Sequence, residues 1–261
     1  MQRIRAGDAD IAFDVTGVGD PLLLIMGLGA DSKMWMLQTP TFSERLRCIT
    51  FDNRGVGESS IPEGPYSTEQ MAGDALAVLD ALDVERAHVL GISLGGAIAQ
   101  QVALKAPERV RSLVLAATWA EQNAYTARMA RVGRIIADIG HDALVRASML
   151  WLFSPEVLID NPKFVDDVEA LALQFAPDPQ AFLRQLDAVE GHDTSAGLPQ
   201  LDVPTRVLVA RHDIMVPPEL GRRVAALIPA AELLELDGAH AFNFESVEAF
   251  NQAVLEFVQR H

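Results

Sequence analysis

Apolar positions along the chain follow two patterns that take turns. One is a short run that is apolar at nearly every position, as in Leu22-Leu23-Leu24-Ile25-Met26. Such a run marks a strand buried on both faces of a parallel sheet. Further buried strands are predicted over 47–51, 87–90 and 110–116, and strands also over 203–210 and 231–236. The other pattern has helical spacing. After Ser67, the residues Met71, Ala75, Leu76, Val78, Leu79 and Leu82 form an apolar stripe, and Ser67 with Gln70 reads as a capping box. Further helices are predicted over 96–106, from Pro217-Pro218 to about 227, and over 245–259. Asp31-Ser32 offers a cap for a short helix over 33–37. Residues 4–6 and 9–15, joined at Gly7-Asp8, read as an antiparallel hairpin at a sheet edge. The alternation predicts an α/β fold: a mostly parallel, doubly wound sheet of about eight strands, covered on both faces.

The alternation stops between 119 and 198. Helices are predicted over 121–139, 142–152, 161–175 and 179–190, broken by Gly140, Pro155, Pro162 and Pro177-Asp178-Pro179. This block holds twelve acidic and six basic residues. It also holds more large apolar residues than solvent-facing helices need, among them Met129, Ile135, Met149, Trp151, Phe153, Phe175 and Phe182. The expected organisation is a core of 1–118 and 199–261, with 119–198 inserted after the sixth strand as a helical cap over the strand ends.

Composition narrows the partners. The chain has 261 residues, 49% of them apolar, and a formal charge of −15. That charge argues against nucleic acid or an anionic membrane, both of which need a basic patch. Cys48 is the only cysteine, so no intrachain disulfide can form, and its apolar neighbours make it a core residue. The N-terminal residues do not read as a signal peptide, and 21–30 is too short to span a bilayer. The expectation is a cytoplasmic protein, monomer or homodimer, acting on a small molecule. His88, His141, His192 and His261 are isolated and lack ligand spacing, so no metal is assigned. Gly55-Val56-Gly57 does not open a helix, so no dinucleotide is assigned, and no other cofactor is implied.

The chemistry centres on Gly91-Ile92-Ser93-Leu94-Gly95, between a predicted strand and a predicted helix. A serine on such a corner is a nucleophile elbow. The corner needs glycines because strand and helix crowd it, and the amide of Leu94 can hold a developing oxyanion. A serine hydroxyl needs a base, and the base needs an orienting carboxylate. Binding residues of a doubly wound sheet collect at the C-terminal ends of its strands. Past the two late strands stand Arg211-His212-Asp213 and Asp237-Gly238-Ala239-His240. His240 is the candidate base and Asp213 the candidate orienting acid, with Asp237 a competitor assigned to its turn. The glycine-rich loop after 22–26 is the place for a second oxyanion donor, the Leu28 amide first and Gly29 next. Gly29, Trp119, Trp151, Phe153 and His212 are candidate pocket residues. Arg54 either meets a substrate carboxylate or ties loops together through a buried ion pair.

These motifs together resemble the α/β-hydrolase superfamily over essentially the whole chain. They are Met26-Gly27-Leu28-Gly29, Asp52-Asn53-Arg54-Gly55-Val56-Gly57-Glu58-Ser59, Gly91-Ile92-Ser93-Leu94-Gly95-Gly96, His212-Asp213 and Gly238-Ala239-His240. The chain is similar to the carboxylesterase group that includes 3-oxoadipate enol-lactonases and aclacinomycin methylesterases. The resemblance implies Leu28 and Leu94 as oxyanion donors and the helical insertion as a substrate-shaping cap. Met26-Gly27 stands where the family usually has His-Gly, and Arg211-His212 where it is usually glycine-rich. The implied activity is hydrolysis of a carboxylic ester or lactone of small to medium, partly apolar character. Carbon–carbon bond hydrolysis, cofactor-free perhydrolysis and non-turnover ligand binding use the same scaffold and are the alternatives. Aspartate-elbow chemistry is excluded by Ser93.

Overall fold

The computed structural model describes residues 1–174 and 178–261. Phe175 and Pro177, expected at the end of one cap helix and the break after it, lie outside the described residues. Eight strands form one sheet in the order β1-β2-β4-β3-β5-β6-β7-β8. β1 (Gln2–Ala6) and β2 (Ala9–Thr16) make the edge hairpin. β2 runs antiparallel to β4 (Leu46–Phe51). The remaining strands, β3 (Asp20–Ile25), β5 (Ala87–Ile92), β6 (Val110–Ala116), β7 (Thr205–Ala210) and β8 (Glu232–Leu236), are parallel to β4 and to one another.

The continuous apolar runs of the central strands are explained by two-sided burial, whereas the edge strand β8 leaves Leu233 and Leu234 exposed. Successive side chains of a strand point to opposite faces. Leu23, Ile25, Val89 and Leu113 therefore enter one core, against Met71 and Val78 of α2 (Thr68–Ala81) and Ile98 and Val102 of α3 (Leu94–Lys105). Leu22, Leu24, Leu90 and Val114 enter the other. There they meet Phe42 of α1 (Thr39–Phe42), Phe242 of a short helix near the C-terminus, and Phe250, Val254 and Phe257 of the closing helix. Cys48 is fully buried in this second core, and burial pushes its thiol up to about 12. His88 is buried inside β5, its Nδ1 2.8 Å from Ser112 Oγ. Loss of solvent lowers its pKa to about 4, so the ring is neutral.

Between β6 and β7 the chain makes a helical insertion over the sheet. It consists of α4 (Ala124–Ile139), α5 (His141–Leu152), α6 (Pro155–Asp160), α7 (Pro162–Gln174) and α8 (Pro179–Glu190). α4 packs on α8 through Ala130, Ala137, Phe182 and Leu186. α5 packs on α7 through Val145, Met149, Phe153 and Val165. The two ends of the insertion meet. Glu121 bridges Asp193 antiparallel, and the Thr194 amide donates to the Ala120 carbonyl at 2.8 Å. The closing part of the chain follows as α9 (Pro218–Leu227), α10 (Phe242–Glu245) and α11 (Val247–Val258).

Boundaries differ from expectation at identifiable places. The first cap helix starts at Ala124 rather than 121, because Asn123 accepts the amides of Tyr125 and Thr126 and sets the N-terminus there. The closing helix starts at Val247 rather than 245, because Glu245 ends a separate short helix, Phe242–Glu245, and its carboxylate accepts the amides of Ser154 and Ala239. The short helices α1 and α6 each begin with a proline in the first turn and are too brief to show periodicity. The segment after Asp31 is a single 3₁₀ turn, Ser32–Trp35, with Asp31 as its cap.

Candidate active site

The site lies at the C-terminal ends of the central strands. β5 delivers Ser93 at its exit, in a conformation with φ +57° and ψ −121° that a side chain adopts only under strain. The turn is held by Ser93 N–H donating to the Ala116 carbonyl (2.9 Å) and by the Thr118 hydroxyl donating to the Ser93 carbonyl (3.0 Å). Space dictates the glycines. A Cβ on Gly96 would stand 2.7 Å from the Thr118 Cβ, and one on Gly95 would stand 2.1 Å from the Ile25 carbonyl oxygen.

The loops after β7 and β8 bring their side chains to this corner. Ser93 Oγ is 2.9 Å from His240 Nε2, and His240 Nδ1 is 2.8 Å from Asp213 Oδ2. Asp213 and His240 are buried. The other Asp213 oxygen accepts the amides of Met215 and Val216, at 2.8 and 2.9 Å, which fixes the carboxylate independently of the histidine. Asp237 lies outside this chain of contacts, paired with Arg211 at 2.6 Å and exposed. A serine so connected can pass its proton to the imidazole while the carboxylate holds the ring and offsets its charge.

The loop after β3 lies beside Ser93: a Cβ on Gly27 would come within 3.3 Å of the Ser93 Cβ. Leu94 opens α3, where the first amides of a helix have no partner within it. Among the described residues neither the Leu28 nor the Leu94 amide makes a hydrogen bond. Two amides in these positions can receive an oxyanion.

A cavity of about 280 Å³ opens from Ser93 and His240 beneath the insertion. Leu28, Gly29, Trp119, Trp151 and Phe153 line it, as do five of the chain's eight methionines: Met26, Met34, Met129, Met149 and Met215. Among the described residues no lysine or arginine lines it. Asp31, the one carboxylate among its described lining residues, has its pKa raised by burial and by the nearby charge of Asp52. His212, expected in the pocket wall, is not there. It is exposed, its amide paired with the Gly238 carbonyl at 2.9 Å, while the next residue, Asp213, turns inward. Arg54 also stays out of the cavity. It is buried against Asp74, with contacts of 2.6 and 2.7 Å, and reaches Asp8 at 3.1 Å. His192 is buried, with Nδ1 3.0 Å from the Thr68 hydroxyl and its ring edge-on to Trp119.

Two features were beyond the sequence reading. The methionines are scattered along the chain without a shared period. Gln185 of α8 accepts the Gly29 amide at 2.8 Å from the far side of the cavity wall, and nothing in its own helix marks it. Among the described residues no cluster of His, Cys, Asp and Glu could hold a metal ion, and no helix is long and apolar enough to cross a membrane.

A mixed eight-stranded sheet, a serine at the turn after its fifth strand and a helical insertion after its sixth define the α/β-hydrolase architecture. The chain belongs to that family. Residues 20–134 match the α/β-hydrolase fold model. The protein is 36% identical over 259 residues to RutD of Azorhizobium caulinodans, which bears a carbamate-hydrolase name, with 98% of each chain covered. Among solved structures, a hydrolase from Pseudomonas aeruginosa is 32% identical with a TM-score of 0.90, covering 98% of this chain and 97% of its own. The enol-lactonase from Burkholderia xenovorans is 26% identical, also with a TM-score of 0.90, covering 99% and 100%.

Proposed function

We propose that the protein is a serine hydrolase that cleaves an uncharged, largely apolar carboxylic ester or lactone through an acyl-enzyme. Family membership points to a serine-type esterase or lactonase. The observation that carries the reading is the unbroken contact from Ser93 Oγ through His240 to Asp213, at 2.9 and 2.8 Å, opening on an apolar cavity.

In this mechanism Ser93 attacks the carbonyl while His240 takes its proton. The Leu28 and Leu94 amides hold the tetrahedral oxygen, each donor contributing about 3 kcal/mol in the transition state. His240 protonates the leaving alcohol, then activates the water that releases the acid. In a lactone the leaving alcohol stays attached to the acyl group and departs with it.

The substrate class follows from the wall. A cavity lined largely by methionine and aromatic side chains, with one carboxylate and no lysine or arginine among the described lining residues, disfavours an anionic substrate, which would lose its hydration without meeting a permanent positive charge. A carbamate group alone, or the polar end of a small lactone, would leave most of this wall unfilled. Methionine adapts its shape, so a range of acyl lengths is expected to fit.

The experiment is a panel of p-nitrophenyl esters from acetate to decanoate, with simple lactones, run beside Ser93→Ala. Turnover that peaks at a medium chain length and vanishes in the variant supports the reading. Dimethyl adipate is expected to be hydrolysed with a kcat/KM about 100-fold above that of monomethyl adipate. Equal rates on the two would remove the claim of an uncharged substrate. Absence of both burst and turnover from folded protein would remove the hydrolase reading itself.

A further inference from the structure

The loop 26–29 is held at both ends by side-chain amides from other parts of the chain. At its start, Asn53 Nδ2 donates to the Met26 carbonyl at 2.9 Å. At its end, the Gly29 amide donates to Gln185 Oε1 at 2.8 Å. Gln185 also donates from Nε2 to the Arg54 carbonyl, again at 2.8 Å. Gln185 is fully buried and stands on α8, within the helical insertion. One cap side chain therefore bridges two strand-exit loops of the sheet, those after β3 and β4.

The use of both polar ends matters. A buried glutamine that merely filled space would leave its amide unsatisfied or be replaced by an apolar residue. Gln38, also fully buried, leaves its Oε1 without a partner. Gln185 instead spends both polar ends on backbone groups of the core loops. Its helical neighbours Phe182 and Leu186 belong to the cluster against which the Leu28 side chain packs. Peptide planarity turns these contacts into an orientation. The Gly29 amide belongs to the peptide plane that follows Leu28, and the Leu28 amide to the plane before it, so the two planes meet at one Cα. Fixing the later plane by a hydrogen bond and the Leu28 side chain by packing leaves the Leu28 amide little freedom. Gly29 itself has φ +69°, a conformation that needs outside support to persist in one orientation.

We propose that Gln185 is a positioning residue. Bonded to Gly29 from the cap, it aims the Leu28 amide at the reacting carbonyl, and the oxyanion hole is complete only while the cap is docked. The inference rests on the serine-hydrolase reading above. It adds that the cap is part of the catalytic apparatus as well as a wall of the pocket. Movement of α8 away from the sheet would break the bonds to Gly29 and Arg54 together and release the loop.

The test is Gln185→Met, which keeps the length and removes both hydrogen bonds. With p-nitrophenyl butyrate, kcat is expected to fall about 30-fold while KM stays within about threefold, because the lost interaction acts in the transition state. Butylboronic acid, whose serine adduct mimics the tetrahedral oxygen, should lose affinity by a similar factor. A folded variant with kcat and boronate affinity within about twofold of the parent would overturn the proposal, and would show Gln185 to be a strut. If the variant does not fold, amide hydrogen exchange on the unmodified chain decides. Gly29 exchanging in step with α8 supports the coupling; Gly29 exchanging freely while α8 stays protected overturns it. An unmodified protein that neither turns over esters nor binds the boronate would fail at the earlier step, the hydrolase reading, and is thereby told apart from a failure of Gln185 alone.

Discussion

The backbones of Gly91 and Gly95 pass so closely that a methyl group on Gly91 would stand 2.1 Å from the Gly95 carbonyl oxygen. This contact is what lets α3 begin directly beneath the last residues of β5. Gly91→Ala must push strand and helix apart, and Ser93, lying between them, moves with the helix. Esterase kcat is expected to fall at least about 100-fold in any folded fraction, since displacements of about 1 Å carry that effect. Circular dichroism alongside kinetics checks it; full activity in a folded variant would contradict the assigned packing.

Asp213 divides its two oxygens between His240 and the amides of Met215 and Val216. An asparagine there can satisfy one side by accepting and must present an N–H group to the other. Asp213→Asn is therefore expected to hold the imidazole in the wrong tautomer and lower kcat by about 10³- to 10⁴-fold with little change in melting temperature. Pre-steady-state kinetics should show acylation itself slowed. A burst at the normal rate would mean that Asp213 is not what orients His240.

Acid should unfold this protein through two histidines remote from the chemistry. Burial lowers His88 and His192 to about 4 each, against an ordinary value near 6.5. Between those pH values the unfolded chain takes up protons that the folded chain refuses. The stability of the neutral rings is thus fully present above about pH 6.5 and is lost as pH falls toward 4, on the order of 3 kcal/mol per site. Urea midpoints measured from pH 7 to 4.5 should decline over that window. His192→Gln should flatten the decline, and an unchanged slope would assign acid sensitivity elsewhere.

Five thioethers around Ser93 make the pocket chemically soft. Peroxide converts each to a polar sulfoxide. Mild oxidation should reduce kcat/KM for octanoate esters by about tenfold and for acetate much less, because only the longer chain needs the apolar wall. Mass spectrometry should place the added oxygen on Met26, Met34, Met129, Met149 or Met215, and methionine sulfoxide reductases should restore activity. Equal losses on both esters would point to damage at the reacting groups instead.

Much of this was readable from the chain alone because the signals are local. The runs 22–26 and 110–116 announce strands buried on two faces, and Gly91 to Gly95 announces the turn by its crowding. Ser93, Asp213 and His240 could be brought together on paper because strand ends in such a sheet converge. Pairing across the insertion had no such rule. Gln185 lies 156 residues from Gly29, and an ordinary glutamine among helix formers carries no sign of its partner. Adjacency in sequence says nothing about which of two neighbours turns inward, and here Asp213 does while His212 stays exposed. The short helix ending at Glu245 gave no sign in the chain, and four residues are too few to show a period; the partner that holds Glu245 from the cap, the Ser154 amide, lies 91 residues away.

The chain leaves the sheet and returns to it at one point, where Glu121 faces Asp193 and Thr194 reaches Ala120. An excursion whose two ends touch can be exchanged for another without disturbing strand register. In such a scaffold specificity is free to diversify by wholesale replacement of the helices while Ser93, Asp213 and His240 stay where they are. Gln185 sets a condition on that freedom: any transplanted cap must arrive with an acceptor for Gly29, or the graft will bind its new substrate and turn it over slowly.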